Sequence, residues 1–234
     1  MTRGYIFDYG GTLDTGGCHW GKVLWHAYER CSAPVSEEMF RKAYVYGERT
    51  LATERIITPG MTFRETLDKK ISLQIDWLKN NAMFSDDGSL HKAILDIAYL
   101  KAKQSTTTAG RVLKEIASKK IPMVLVSNFY GNINEVLKEF QLNSLFCHIV
   151  ESAVVGIRKP DPRIFSLGVE YLGMKPEDIT VVGDSYDKDI VPAKSIGCHT
   201  VWIKGEGWTN DGQPTPMAER IITNLYELLD NDKK

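Results

Sequence analysis

The chain has 234 residues, 43% of them hydrophobic, enough for one large domain or for a core domain with a smaller one inserted. Its 29 basic and 30 acidic residues leave a formal charge of -1, which excludes a basic field for nucleic acid and a polybasic membrane patch and points to small-molecule partners. The four cysteines, Cys18, Cys31, Cys147 and Cys198, form no CxxC pair and no metal-ligand spacing, and no apolar run approaches membrane-spanning length. Tyr5 to Phe7 runs straight into Asp8 with no apolar leader core, so a cytoplasmic protein with reduced cysteines is expected.

The first element is a short strand, Gly4 to Phe7, followed at once by Asp8-Tyr9-Gly10-Gly11-Thr12-Leu13, a carboxylate at a strand tip with a glycine-rich turn behind it. A long helical stretch follows. Amphipathic segments run from Cys18 to Cys31, Ser36 to Thr50, Thr62 to Asn80 and Ser89 to Gln104, separated by Pro34, Thr58-Pro59-Gly60 and Ser85-Asp86-Asp87-Gly88. A stripe such as Phe63, Leu67, Ile71, Ile75 and Leu78 suits a small bundle. On the first segment Trp20, Leu24, Ala27 and Cys31 form a packing stripe, while His19, Lys22 and His26 share another face and are candidate ligand contacts.

From Thr107 helices and strands alternate: helix Thr107 to Lys119, strand Ile121 to Val126, helix Asn132 to Phe140, strand His148 to Glu151, helix Pro162 to Leu172, strand Ile179 to Val182. A helix from Asp189 to Ile196, a strand from Thr200 to Ile203 and a terminal helix from Met217 to Leu229 complete the series. This pattern predicts an α/β fold, a Rossmann-like parallel sheet from residues 1–14 and 107–234, with an all-α insertion over 15–106. Ligands in such sheets bind beyond the carboxyl ends of the strands, where Asp8, Ser127 and Gly183-Asp184 fall. Each of these has a bland reading alone: Asp8 as a turn former, Ser127-Asn128 as a helix cap, Lys159 as a solvated lysine, Gly183-Asp184-Ser185 as a turn. Their order and spacing together make the bland readings hard to sustain.

In that constellation the chain resembles the haloacid dehalogenase-like (HAD) hydrolases over nearly its whole length. Phe7 to Leu13 is similar to the family's first motif, DxDGT; Gly156-Ile157-Arg158-Lys159-Pro160-Asp161-Pro162-Arg163-Ile164-Phe165 resembles the third. Val182-Gly183-Asp184-Ser185 with Asp189-Ile190 and Ala193 to Gly197 resembles the fourth. The resemblance implies that Asp8 attacks phosphorus and forms an aspartyl phosphate. It implies Mg²⁺ between Asp8, the backbone carbonyl of Gly10 and Asp184, phosphate oxygens held by Thr12, Ser127 and the backbone around Asn128, Lys159 as the catalytic cation that also touches phosphate, and Asp189 outside the metal's direct ligands, orienting Lys159 or a water. The helical insertion matches the family's substrate-selecting cap, whose closure excludes water and whose candidate substrate contacts are His19, Lys22 and His26. A monomer or homodimer acting on a small phosphorylated molecule is expected.

Gly10 is the departure. Phosphatases of the family carry a second aspartate there, which protonates the leaving oxygen and then activates water; the metal contact through the backbone survives its loss, and the acid-base assistance does not. A hydrolase with impaired or substrate-assisted proton transfer is one reading, and a phospho-ligand binding or regulatory protein with little turnover is the other. A phosphonatase-like C–P hydrolase would need a Schiff-base lysine, for which Lys22 is the candidate. Dehalogenases also lack the second aspartate but work without Mg²⁺, and the intact Gly183-Asp184 motif argues against that branch. Asp14 could serve as a displaced acid, although its default role is to begin the turn into the helices, and the Gly205 to Pro216 loop with Trp208 could lie over the site.

Overall fold

The computed structural model describes residues 2–82, 84–208 and 217–232. Six parallel strands form one sheet in the order β3-β2-β1-β4-β5-β6: β1 Gly4–Phe7, β2 Met123–Ser127, β3 His148–Glu151, β4 Ile179–Gly183, β5 His199–Ile203 and β6 Arg220–Ile222. The chain lays down β1, β2 and β3 in one direction, then crosses to place β4 on the other flank of β1. Strand order therefore reverses between β1 and β4, and such a reversal opens a crevice at the carboxyl ends. Asp8 follows β1 and Asp184 follows β4, so the sequence delivers two carboxylates to that crevice; the Asp8 amide donates to the Val182 carbonyl at 3.0 Å and fixes the register there.

Both faces of the sheet are covered, as the apolar runs require. Ile6, Val124, Val126 and Val181 pack against Ile164 and Phe165 of α7 (Arg163–Leu172). The alternate residues Tyr5, Phe7, Leu125 and Val182 face the opposite core, with Val112, Leu113 and Ile116. The smaller helices α5 (Ile133–Glu139), α6 (Ser152–Val155) and α8 (Val191–Ser195) link the later strands.

Between β1 and β2 the chain is helical: α1 Trp20–Arg30, α2 Glu37–Thr53, α3 Phe63–Asn81 and α4 Ser89–Ser118. His19, Ser36 and Thr62 cap the first three, and Thr62 with Glu65 closes a capping box, satisfying donors that a helix start leaves open. The expected break between Gln104 and Thr107 is absent. Thr106 and Thr107 return their hydroxyls to the Ala102 and Lys103 carbonyls at 2.8 and 2.7 Å, which accommodates them inside a helix, and the buried stripe continues through Ala102, Thr106, Ala109 and Leu113. The resulting 30-residue helix packs on α1 and α3 and also on the 3₁₀ helix Leu225–Asp232, so the boundary expected at 106/107 falls inside one continuous helix.

The terminal helix expected from Met217 to Leu229 is also replaced. The β-branched pair Ile221-Ile222 extends the sheet edge, with Lys204 N–H donating to the Ile222 carbonyl at 2.8 Å, and Glu227 caps the next turn through the Thr223 and Asn224 amides. Residues 209–216 of the loop carrying Trp208 lie outside the described residues. Among the described residues no helix is long and apolar enough to cross a membrane.

Candidate active site

A cavity of about 210 Å³ opens at the β1–β4 crevice, roofed by the helical insertion. Asp8, Gly10, Asn128, Lys159, Asp184 and Asp189 reach its wall from the sheet side, as the sequence predicts. Lys159 Nζ is 3% exposed and lies 2.5 Å from Asp8 Oδ1, 2.7 Å from Asp189 Oδ1 and 3.3 Å from the Val126 carbonyl, so each of its three N–H groups has an acceptor. The Thr12 hydroxyl is 3.1 Å from both Asp8 Oδ2 and Asp184 Oδ1 and shares its single proton between them. Its position is a bridge between two carboxylates.

Two glycines make this crowding possible. Gly11 has φ +98°, and a Cβ there would lie 2.3 Å from Asp184 Oδ2; a Cβ on Gly183 would lie 2.4 Å from Asp189 Cβ. Gly10 differs from both: a Cβ there meets nothing within 4 Å.

The electrostatics follow from this packing. Asp8, Asp184 and Asp189 can each offer an oxygen within 4.8 Å of the others, and against them stands Lys159, a formal charge of -2 with all groups ionised. Burial, with the Asp189 charge adding to it, pushes Asp8 up to about 6 despite Lys159, and burial together with the Asp8 charge pushes Asp184 well above the carboxylate range. Lys159 is driven above its ordinary value by the two aspartates, which outweigh its own burial. An all-oxygen donor set with an excess of two negative charges fits a hard divalent cation. Asp189 has both oxygens engaged by N–H donors, Oδ1 by Lys159 and Oδ2 by the Ser185 amide at 3.0 Å, whereas Asp8 and Asp184 share the single proton of Thr12.

The other expected site residues take varied positions. The Asn128 carboxamide accepts from the Lys159 amide at 2.9 Å and donates to the Lys159 carbonyl at 3.0 Å, so its side chain is committed to fixing the lysine's backbone. Ser127, the last residue of β2, is 1% exposed and does not reach the cavity wall. His19 is on the wall. Its Nδ1 accepts from the Gly21 amide at 3.0 Å, which places the ring proton on Nε2, and burial lowers its pKa to about 4, so it stays a neutral donor. Lys22 and His26 are off the wall, tied to acids at the surface: Lys22 to Glu37 at 3.1 Å, His26 to Glu29 at 2.9 Å and Glu206 at 2.7 Å. The C–P hydrolase reading through Lys22 therefore lacks its lysine. Trp20 packs on the core as the stripe predicts, with its ring centroid 5.6 Å from that of Phe63, and also lines the cavity.

Asp14 is also on the wall, 1% exposed, with Oδ1 accepting from the Gly11 amide at 2.7 Å and Oδ2 from Trp20 Nε1 at 2.9 Å. Burial raises its pKa to about 7, but both oxygens are engaged by N–H donors that hold the motif turn. Glu48, Lys70, Tyr44 and Tyr130 are also on the wall and were not singled out by the sequence reading. The available signal is Lys70 and Gln74 on the otherwise apolar buried face of α3. Trp208, expected over the site, packs instead against His19 and Tyr44, with the Arg41 guanidinium 4.2 Å above its ring.

The family of haloacid dehalogenase-like hydrolases matches residues 2–197. The glyceraldehyde 3-phosphate phosphatase of Pyrococcus furiosus is 35% identical over 97 residues, 41% of this chain and 40% of that protein. The haloacid dehalogenase-like hydrolase domain-containing protein 3 of Mus musculus is 30% identical over 122 residues, 52% of this chain and 49% of that one. These matches take in half or less of the relatives' own length. Among solved structures, a dehalogenase crystallised with an intermediate complex superposes with a TM-score of 0.66 at 18% identity, over 98% of this chain and 96% of that one, which shows a shared fold. With its motif residues gathered at one crevice of that fold, the chain belongs to the haloacid dehalogenase-like hydrolase family.

Proposed function

We propose that this protein is an Mg²⁺-dependent phosphohydrolase of small phosphate monoesters that works through Asp8, with proton transfer weakened by Gly10. The observation that carries this reading is the buried Asp8–Lys159–Asp189 chain beside Asp184, an anionic cluster shaped to receive a cation and a phosphate. Asp8, the Gly10 carbonyl and Asp184 would hold Mg²⁺, whose contribution is to neutralise charge on the cluster and on the phosphate. Residues 15–106 act as a cap over a core of 1–14 and 107–234, joined to it through the continuous helix α4, and cover the nucleophile against bulk water.

The chemistry of the chain's own groups follows. An oxygen of Asp8 forms a bond to phosphorus as the ester P–O bond breaks, leaving an aspartyl phosphate and an alkoxide that needs a proton to become the alcohol. Lys159 keeps Asp8 ionised and offsets the charge that builds as carboxylate meets phosphate, and Asn128 keeps Lys159 in place. Water then cleaves the acyl phosphate. Gly10 supplies no acid for the first step and no base for the second, so the first is slowed unless the leaving group is good and the second is slowed whatever the ester. Gly10 also favours a second reading, a phospho-ligand binding protein with little turnover. A phosphate-release screen over monoesters, with Mg²⁺ and with chelator, separates them: Mg²⁺-dependent multiple turnover supports the hydrolase, and tight binding with no release on any ester supports the binding protein.

A further inference from the structure

The wall opposite the strand ends carries a charged pair that the chemistry above does not use. Lys70 of α3 is 9% exposed, and its Nζ lies 2.7 Å from Glu48 Oε1, 5.6 Å from the Tyr130 ring centroid and 6.0 Å from that of Trp20. The Tyr130 hydroxyl donates to Glu48 Oε2 at 3.2 Å. Glu48 Oε1 is shielded from solvent and has the ammonium in ionic contact, yet makes no aligned hydrogen bond. With the Lys70 side chain 11% and the Glu48 side chain 33% exposed, the pair is partly buried, and such a pair adds little net stability to the fold. Its place on the wall of the reaction cavity points to a ligand.

We propose that Lys70 and Glu48, with Tyr130 and the face of Trp20, form the subsite for the alcohol part of the substrate and select phosphate monoesters of neutral polyhydroxylated alcohols over those bearing a carboxylate. This rests on the phosphohydrolase reading, since it assumes that phosphate lies at Asp8. The reason is the chemistry of the pair. Lys70 alone would attract a second anion; Glu48 cancels that charge and would repel a carboxylate brought beside it. A hydroxyl suits both at once, accepting from the ammonium and donating to the carboxylate, each a charge-assisted bond. Tyr130 can play either part, and Trp20, pinned through its Nε1 to Asp14, offers a fixed apolar face to carbon-bound hydrogens. The other basic residues on the wall, Arg158 and Lys188, are the chain neighbours of Lys159 and Asp189 and so flank the phosphate end.

The test is calorimetric binding to Asp8→Asn protein with Mg²⁺, so that hydrolysis does not intervene, using glycerol 3-phosphate and 3-phosphoglycerate, which differ by a hydroxymethyl group against a carboxylate. Glycerol 3-phosphate is expected to bind at least tenfold more tightly, and Glu48→Gln in the same background is expected to shrink or invert that ratio. Equal or tighter binding of 3-phosphoglycerate overturns the inference, as does a ratio unchanged by Glu48→Gln in protein with a native circular dichroism spectrum. Inorganic phosphate serves as the third ligand. If none of the three binds, the phosphate site itself is refuted and the inference falls with it; if phosphate binds and the two esters are not distinguished, only the inference falls.

Discussion

Gly10→Asp restores the carboxyl that the first motif lacks, and the structure allows it. A Cβ at residue 10 has no heavy atom within 4 Å, and Gly10 is absent from the glycines with positive φ, so an L-residue fits the backbone. Replacing glycine at an unstrained position stabilises by about 0.4 to 1 kcal/mol through the unfolded chain, which partly offsets the cost of a further carboxyl beside Asp8 and Asp184. That acidic surrounding would keep the new group protonated, the state in which it can serve as an acid. General acid-base assistance is worth roughly 10² to 10⁴ in rate, or about 3 to 5 kcal/mol of barrier. The assay is kcat/KM with Mg²⁺ on an alkyl phosphate and on p-nitrophenyl phosphate. The alkyl ester, whose alkoxide needs the proton, should gain by that factor, and the aryl ester, whose phenolate leaves unaided, should gain little. A folded Gly10→Asp protein with unchanged kcat/KM on the alkyl ester would refute the claim that proton transfer is what this site lacks.

Other consequences are equally direct. Gly11→Ala places a methyl 2.3 Å from Asp184 Oδ2 at φ +98°, and strain of this kind costs on the order of 1 to 3 kcal/mol, so a lowered melting temperature and at least tenfold weaker Mg²⁺ binding by calorimetry are expected, whereas Gly10→Ala should melt close to wild type. Asp14 is raised from 3.8 to about 7 by burial, so the folded state holds its proton more tightly than the unfolded state; the stability this gives is complete below pH 4 and is lost as pH rises through 7. Asp14→Asn lacks that loss, so its urea-unfolding free energy should gain on wild type by on the order of 4 kcal/mol between pH 4 and pH 8, whatever constant offset the lost Trp20 bond introduces. A parallel pair of pH curves would contradict the buried-acid account.

The residues legible in the sequence were those carried by short local motifs. Asp8 and Asp184 directly follow β1 and β4, Lys159 lies between α6 and α7 and Asp189 in the helical turn after β4, and the sheet topology brings these segments to one crevice. The cavity's other wall is assembled differently. Glu48, Lys70 and Tyr130 come from two helices and a loop, and each by itself reads as a solvated charge or a packing aromatic; only the burial of Lys70 on α3 reveals the pair. Asn128 was recognised by position but not by task, because its grip on the Lys159 backbone spans 31 residues of sequence. The continuity of α4 was hidden for a local reason, since Ser-Thr runs read as breaks unless their hydroxyls fold back onto the helix. The edge strand β6 was masked by an apolar spacing that also fits a helix.

The role of Asp8 is tested most directly by trapping. With Mg²⁺ and p-nitrophenyl phosphate, slow hydrolysis of the acyl phosphate should let it accumulate, and borohydride reduction followed by peptide mass spectrometry should find homoserine at position 8 in the wild type and none in Asp8→Asn, which should also release no phosphate above background. Phosphate release that survives in Asp8→Asn, or turnover by the wild type with no homoserine at position 8, would contradict nucleophilic catalysis by Asp8.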